Sequence, residues 1–292
     1  MNRILVTGAT GQLGKEVVNQ LLNKTDASNL AVMVRDASKA AEMKTQGVEI
    51  RTGDYNDYPS LVGTFKGIDK LYFVSGSDHL SRIPQHENVV KAAREAGVKH
   101  VVYTSAQRKN DTDSSPVAII NEAHIKTENW LKASGMTYTI LKHAIYLDMV
   151  PAFLGEQLLE TGVAYLPAGE GKVAFTLRAD MAEVAAVILT SEGHENKIYD
   201  ITNEKAVSFS EIVADISQLT GKSIVYVSPS QEEYIQTLSA AGVPLEYAKL
   251  FAGFAEAFRL QELDLTNNTI ETLIGRKPVS VAQFLKQVYA AK

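Results

Sequence analysis

Three glycines near the N-terminus follow a short apolar run at a spacing that suits phosphate binding. Residues 4–7 are predicted as a strand, and Gly8, Gly11 and Gly14 follow it and open a helix predicted over 12–23. The first glycine permits a tight turn, the second lets the backbone approach a pyrophosphate, and the third lets the helix pack closely on the strand. The helix N-terminus then favours a negative group. The alternative is a glycine turn that binds nothing. The residues expected to contact a dinucleotide are Gly8, Thr10, Gly11, Gln12, Leu13 and Gly14.

The end of the second predicted strand, residues 30–34, indicates which nicotinamide cofactor fits. An acidic residue there bonds the ribose 2′-hydroxyl of NADH, whereas an arginine accommodates the 2′-phosphate of NADPH. Arg35 and Asp36 follow this strand, and a guanidinium can bind a phosphate through two hydrogen bonds. We therefore expect NADPH and keep NADH as the alternative. Asp36 either reads the ribose or caps the next helix, and Arg35 would otherwise be a solvated surface charge.

The elements around these residues alternate along the first half of the chain. Apolar strands are predicted over 48–51, 71–74, 101–104 and 137–141, with helices between them such as 85–96 and 123–134. Continuous apolar strands separated by helices indicate an α/β fold with a doubly wound parallel sheet, the Rossmann fold. Ligands bind such sheets at the carboxyl ends of the strands. Ser75, Gly76 and Ser105 follow two strands and are candidate contacts for the nicotinamide half, with ordinary loops as the alternative.

The second half of the chain is less regular. Asp180 is predicted to cap a helix that runs to residue 189, and Ser208 with Glu211 matches a capping box. A strand over 197–201 is expected to join the main sheet, and the pattern beyond residue 229 is mostly helical. We therefore predict a dinucleotide-binding domain over 1–150 and a smaller, mixed, mostly helical substrate-binding portion over 151–292, interleaved with the first.

Composition excludes several classes of function. The net charge is −5 and no long run of Lys or Arg occurs, which argues against a nucleic-acid partner. Cysteine is absent, so disulfides, thiolate nucleophiles and cysteine-bound metals are excluded, and a cytoplasmic location is expected. No apolar stretch approaches the roughly 20 residues that span a bilayer, and no secretory signal is predicted. The histidine and carboxylate spacing predicts no metal site.

Several segments together resemble the NmrA-like branch of the atypical short-chain dehydrogenases and reductases. They are VTGATGQLG at 6–14, GDY at 53–55, QHENVV at 85–90, AGVKH at 96–100, HIKTE at 124–128 and RAD at 178–180. The resemblance covers nearly the whole chain and implies NADPH-dependent hydride transfer to a planar, conjugated acceptor, such as a quinone or another small aromatic molecule. It also implies that Asp54 approaches the adenine, although Asp54 is equally suited to a turn.

The usual catalytic pair of short-chain enzymes, Tyr-x-x-x-Lys, is missing from its expected place. Tyr138 and Lys142 have that spacing, but they lie in the predicted sixth strand. By the register of the extended members, Ile120 and His124 occupy the two positions. His124 is therefore the candidate catalytic residue, as a ribose contact or a proton shuttle. The alternative is a helix histidine that pairs with Glu128 one turn on.

The resemblance places two more residues beside the nicotinamide. His143 stands where relatives often carry an asparagine that contacts the cofactor, and Tyr146 matches a tyrosine that would stack on the substrate or pack in the core. An aromatic series from Tyr247 to Phe258 has helical spacing, which is typical of a core and would also suit a lid.

The sequence is compatible with three interpretations of function. The first is a reductase of quinones or similar acceptors. The second is a non-catalytic sensor that binds NADP(H) and a partner protein, since family members include such regulators. The third, an isoflavone-reductase-like enzyme, is disfavoured because His124 stands where those enzymes have a lysine. The assembly is also open, and a homodimer is one expectation.

Overall fold

The main sheet of the protein contains seven parallel strands. In a computed structural model, which describes residues 2–78 and 80–290, the strands lie in the order β3-β2-β1-β4-β5-β6-β9. The predicted outer bounds at residues 1 and 292 lie outside this described part. The strands are β1 Ile4–Val6, β2 Leu30–Val34, β3 Glu49–Thr52, β4 Lys70–Phe73, β5 His100–Ala106, β6 Thr137–His143 and β9 Lys197–Ile201. The doubly wound parallel sheet is confirmed, and the strand predicted over 197–201 pairs in parallel with β6 as its last member.

Helices cover both faces of this sheet. Those of the first half are α1 Gln12–Leu22, α2 Ala41–Thr45, α3 Tyr58–Phe65, α4 Arg82–Glu95 and α5 Ala118–Ala133. Those of the second half are α6 Val150–Leu154, α7 Leu158–Thr161, α8 Arg178–Thr190, α9 Phe209–Thr220, α10 Gln231–Ala240, α11 Leu245–Arg259, α12 Thr269–Ile274 and α13 Val281–Tyr289. Helices α4 and α5 begin three and five residues earlier than predicted.

The alternation of side chains along β1 divides the core into two layers. Ile4 and Val6 face a cluster that includes α1 and α8, whereas Leu5 faces the opposite cluster, formed with α3, α4 and α5. Successive strand residues point to opposite faces, so a fully buried strand feeds both layers. Gly97 and Gly135 each follow the end of a helix. Both have a φ near +79°, as expected for a left-handed position after a helix C-terminus.

A third apolar cluster forms the C-terminal portion. Phe258 of α11 is fully buried and its ring centroid lies 5.4 Å from that of Phe153 and 5.6 Å from that of Phe209. The aromatic series is therefore largely core, although Tyr247 at its start is 50% exposed. Two small sheets flank this cluster, one pairing β7 Val163–Tyr165 with β11 Val225–Val227 and the other pairing β8 Lys172–Val173 with β10 Val207–Ser208. No helix in the described part is long and apolar enough to cross a membrane.

The two predicted caps of this portion have different outcomes. The capping box of Ser208 and Glu211 is confirmed, with both reciprocal hydrogen bonds present. The prediction that Asp180 caps α8 is wrong, because the helix begins two residues earlier, at Arg178. The Asp180 carboxylate is fully buried, accepts a hydrogen bond from the Val279 N–H at 2.7 Å and pairs with Arg276. It ties a distant loop to α8, a contact that local sequence does not show.

Candidate functional site

A cleft of about 480 Å³ lies at the carboxyl edge of the central strands. It is lined by residues of the glycine turn, by the segments that follow β2, β3 and β4, and by two residues from beyond β6. The lining residues are Gly8, Thr10, Gly11, Gln12, Leu13, Gly14, Met33, Val34, Arg35, Gly53, Asp54, Tyr55, Val74, Ser75, Gly76, Ser77, Asp78, Gln85, Tyr146 and Arg178. The cleft brings together most of the predicted site residues; Ser105, His124 and His143 do not line it.

The glycine turn has the geometry that pyrophosphate binding requires. Gly8 has φ +60°, and a Cβ at Gly14 would lie 2.2 Å from the Gly8 carbonyl oxygen, so helix α1 packs directly on the turn. A Cβ at Gly11 would meet only that same oxygen, at 3.3 Å. Gly11 is the extended N-cap of α1, with no side-chain cap and no acidic residue in the first turn. The helix N-terminus therefore faces the cleft in a form suited to an anion.

Arg35 and Asp36, which follow β2, make different contacts. Asp36 Oδ1 accepts hydrogen bonds from the Ser38 N–H at 2.9 Å and from the Ser38 hydroxyl at 2.7 Å, and these bonds lower the pKa of the carboxyl. The carboxylate thus caps the short 3₁₀ turn Ala37–Ala40. Arg35 is exposed and lines the cleft. Because the Asp36 carboxylate caps the turn and the Arg35 guanidinium lines the cleft, the end of β2 suits a 2′-phosphate better than a free 2′-hydroxyl.

The segments after β3 and β4 form the opposite part of the wall. Ser75 and Gly76 line the cleft as predicted. Asp54 also lines it, and its Oδ1 accepts the Asn56 N–H at 2.8 Å. Asp54 therefore does stabilise a turn, and its contact with an adenine stays a prediction.

Tyr146 and Arg178 form the far end of the cleft. The Arg178 guanidinium carbon lies 3.9 Å from the centre of the Tyr146 ring, and the guanidinium also pairs with Asp148. Arg178 thus covers one face of the ring, and burial raises the pKa of the Tyr146 hydroxyl. Sequence reasoning gave Arg178 no role. The available signal was a cation at the first position of a helix, where the dipole disfavours it.

Ser105 and His143 are buried and do not line the cleft. The Ser105 hydroxyl donates to Glu128 Oε1 at 2.5 Å, and Arg108 donates to the same oxygen at 3.0 Å. His143 is buried, and neither of its ring nitrogens has a hydrogen-bond partner among residues 2–78 and 80–290. Burial, and then the nearby Arg178, lowers the pKa of His143 to about 3, so the ring is neutral. The side-chain amide of neighbouring Gln107 is also buried without a partner in the described part.

His124 belongs to a buried network that the sequence did not reveal. Its Nδ1 lies 2.8 Å from the Tyr103 hydroxyl, so the expected pairing with Glu128 is wrong, because Glu128 is taken by Ser105 and Arg108. Burial and nearby cations hold the pKa of His124 well below its usual value. A neutral imidazole can donate or accept a hydrogen bond, but it has no proton to release near pH 7.

The residues present fit a nicotinamide dinucleotide on two structural grounds. The turn leaves no room for a side chain at Gly14, and the helix N-terminus carries no competing acid. No group of three or more His, Asp or Glu side chains in the described residues could hold a metal ion.

Comparison with known proteins identifies the family. The model of the NmrA-like family matches residues 1–285. The chain belongs to the NmrA-like family. This NmrA-like protein is 34% identical to quinone oxidoreductase 2 of Escherichia coli (strain K12), over 98% of each chain. It is 31% identical to an NAD(P)H azoreductase of Xenophilus azovorans, over 99% of this chain and 98% of the relative.

Solved structures agree with this assignment. The triphenylmethane reductase of Citrobacter sp., solved with NADP(H), is 37% identical and superposes with a TM-score of 0.88 over 97% of this chain and 99% of that one. The resemblance predicted from the six sequence segments is thereby confirmed.

Proposed function

We propose that this protein is an NADPH-dependent reductase that transfers hydride to a quinone or a similar planar, conjugated acceptor. The observation that carries the proposal is the end of β2, where Arg35 lines the cleft and the Asp36 carboxylate is committed to capping. The relatives support it, since they include a quinone oxidoreductase, an azoreductase and a triphenylmethane dye reductase, and the quinone oxidoreductase 2 of Escherichia coli was solved with NADPH.

The chain's own residues divide the work of binding. The N–H groups at the start of α1 hold the pyrophosphate, and Arg35 holds the 2′-phosphate. Tyr146, with Arg178 against it, forms the wall at the nicotinamide end. The contact of His143 with the cofactor stays a prediction, because its buried ring does not line the cleft. When bound, NADPH supplies a hydride to the acceptor. The protein's task is to hold the two rings in contact and exclude water between them.

The site can stabilise the reduced acceptor by a fixed positive charge rather than by acid catalysis. When a quinone takes up hydride, negative charge develops on its oxygen, and a nearby fixed cation stabilises that charge. Arg178, which also pairs with Asp148, is the cation at the nicotinamide end of the cleft. His124 is neutral near pH 7 and lies outside the cleft wall, so it serves as a hydrogen-bonding support, and solvent protonates the product. The Ser105 contact with cofactor remains a prediction.

The division of the chain into a dinucleotide-binding domain over 1–150 and a substrate-binding portion over 151–292 stays a prediction. Arg178, which lines the cleft, comes from the second portion. A cytoplasmic location and a homodimer also stay predictions.

The test is NADPH and NADH oxidation by the purified protein with benzoquinone, naphthoquinone and azo-dye acceptors, followed by the absorbance of the reduced nicotinamide. Direct binding of both cofactors is measured in parallel by calorimetry. Turnover that prefers NADPH supports the proposal. Tight NADPH binding without turnover on any acceptor would favour the cofactor-sensing role instead. A Gly11→Val variant is the blank, because its side chain would occupy the space of the pyrophosphate.

A further inference from the structure

A buried histidine holds the backbone of the cleft wall after β4. The Gly76 N–H donates to Nε2 of His86 at 3.0 Å. On the other side of the ring, Nδ1 lies 2.8 Å from the Thr127 hydroxyl, which itself donates to the Ala123 carbonyl at 2.6 Å. Because Nε2 accepts, the neutral ring carries its proton on Nδ1, and that proton is donated to Thr127. The chain of bonds therefore ties Gly76 through His86 to helix α5.

The packing around His86 keeps this arrangement fixed. The residue is fully buried, and its ring meets Phe73 edge to face with centroids 4.9 Å apart. Burial, and then the nearby Arg82, lowers its pKa to about 3, so Nε2 remains an acceptor at neutral pH. An imidazole suits this position because it accepts at one nitrogen and donates at the other without charge.

Helix α4 holds the neighbouring segment after β3 with two residues close to His86. Gln85 Nε2 donates to Asn56 Oδ1 at 3.3 Å, and Asn88 Nδ2 donates to the Tyr55 carbonyl at 3.0 Å. The Tyr55 hydroxyl in turn donates to the Val74 carbonyl at 2.7 Å. The segment QHENVV, which the sequence marked only as a family resemblance, is thus the part of α4 that fastens both loops.

The strand order indicates which half of a dinucleotide would lie at Gly76. Strands β2 and β4 flank β1 on opposite sides, so the loop after β4 lies across the glycine turn from Arg35. If Arg35 holds the 2′-phosphate of the adenosine half, the nicotinamide half extends toward Gly76, Tyr146 and Arg178.

We propose that His86 is a positioning residue that sets the Gly76 backbone for the nicotinamide half of the cofactor. The inference rests on the proposed NADPH-binding function. Loss of the imidazole frees the Gly76 N–H and lets this part of the wall move, while the glycine turn and Arg35 are untouched. Binding of the whole cofactor then weakens, and binding of the adenosine half does not.

The experiment compares His86→Leu with His86→Gln in the full-length protein. Calorimetry measures Kd for NADPH and for adenosine 2′,5′-bisphosphate, which carries the 2′-phosphate and lacks the nicotinamide. We expect His86→Leu to raise the Kd for NADPH about tenfold and to change that of the bisphosphate less than about twofold. Glutamine can accept from Gly76 and donate to Thr127, so His86→Gln should recover most of the affinity.

The outcomes separate the inference from the proposed function. Equal losses for both ligands would mean general damage to the fold and would overturn the positioning role, as would an unchanged Kd for NADPH. If His86→Leu does not fold, Thr127→Val removes the acceptor for Nδ1 and should produce a smaller loss with the same selectivity for NADPH; a loss on both ligands overturns the role. A wild-type protein that fails to bind NADPH would overturn the proposed function and this inference together.

Discussion

Replacement of Arg35 by alanine gives the sharpest test of cofactor choice. Arg35 lies in the cleft wall, and Asp36, the neighbouring acid, is occupied by Ser38. A hydrogen bond between charged groups contributes about 1.5–3 kcal/mol. The side chain is exposed, so solvent and salt screen the interaction and the lower end of that range applies. We therefore expect the Kd of NADPH to rise about tenfold in Arg35→Ala, with the Kd of NADH within about twofold of wild type.

The assay measures Kd and steady-state KM for both cofactors at two ionic strengths. Wild-type affinity for NADPH should fall as salt increases, and the variant should lose most of that dependence, because the screened contact is gone. Lys39→Ala is the matched control, since Lys39 is an exposed cation four residues on and does not line the cleft. Equal losses of NADPH and NADH affinity in Arg35→Ala would refute the assignment of this residue to the 2′-phosphate.

Further predictions concern the turn, the buried network and pH. Gly11→Val should abolish NADPH binding, measured by calorimetry, with little change in melting temperature. Gly14→Ala should lower the melting temperature, because its Cβ would lie 2.2 Å from a backbone oxygen. A Gly11→Val variant that melts early yet binds NADPH, or a Gly14→Ala variant with an unchanged melting temperature, would contradict this. His124→Ala should lower stability by about 1–3 kcal/mol, because the buried Tyr103 hydroxyl loses its 2.8 Å partner, and should slow turnover. Unchanged kinetics would limit His124 to a structural role. The pKa values of His86 and His143 are about 3 in the folded protein and lie below the unfolded value near 6.5. The unfolded protein therefore binds protons first, and the free energy of unfolding should fall as pH drops from about 6.5 toward 3. The fall is up to about 1.4 kcal/mol per pH unit for each ring. Urea unfolding at several pH values measures it, and a stability that rises with acid would show the sign to be wrong.

Much of the dinucleotide half of the site could be predicted because it is built from local chain geometry. A strand, a tight turn and a helix within residues 4–14 define the anion site, and Arg35 directly follows the next strand. The family resemblance added Tyr146, which the structure places in the cleft wall. Asp36 was left open between two tasks, and the short-range bonds to Ser38 decide it in favour of capping.

Contacts between distant segments could not be predicted in this way. The partner of His124 is Tyr103, from a strand, rather than Glu128 one turn along its own helix. Asp180 was predicted as a cap, and its carboxylate instead binds a backbone group 99 residues later. In each case the sequence places a polar side chain on a helix, and the buried neighbour that satisfies it comes from another element.

The parallel α/β fold, the glycine turn and the position of Arg35 directly after β2 could be predicted from the sequence, because periodicity, turn chemistry and helix dipoles act over a few residues. The other parts of the cleft wall depend on contacts between distant segments. The tertiary structure brings Arg178 from the second half of the chain onto Tyr146, and it fixes Gly76 through a buried histidine from α4. Burial and hydrogen-bond satisfaction depend on which segments meet in space, and spacing along the chain does not record those contacts.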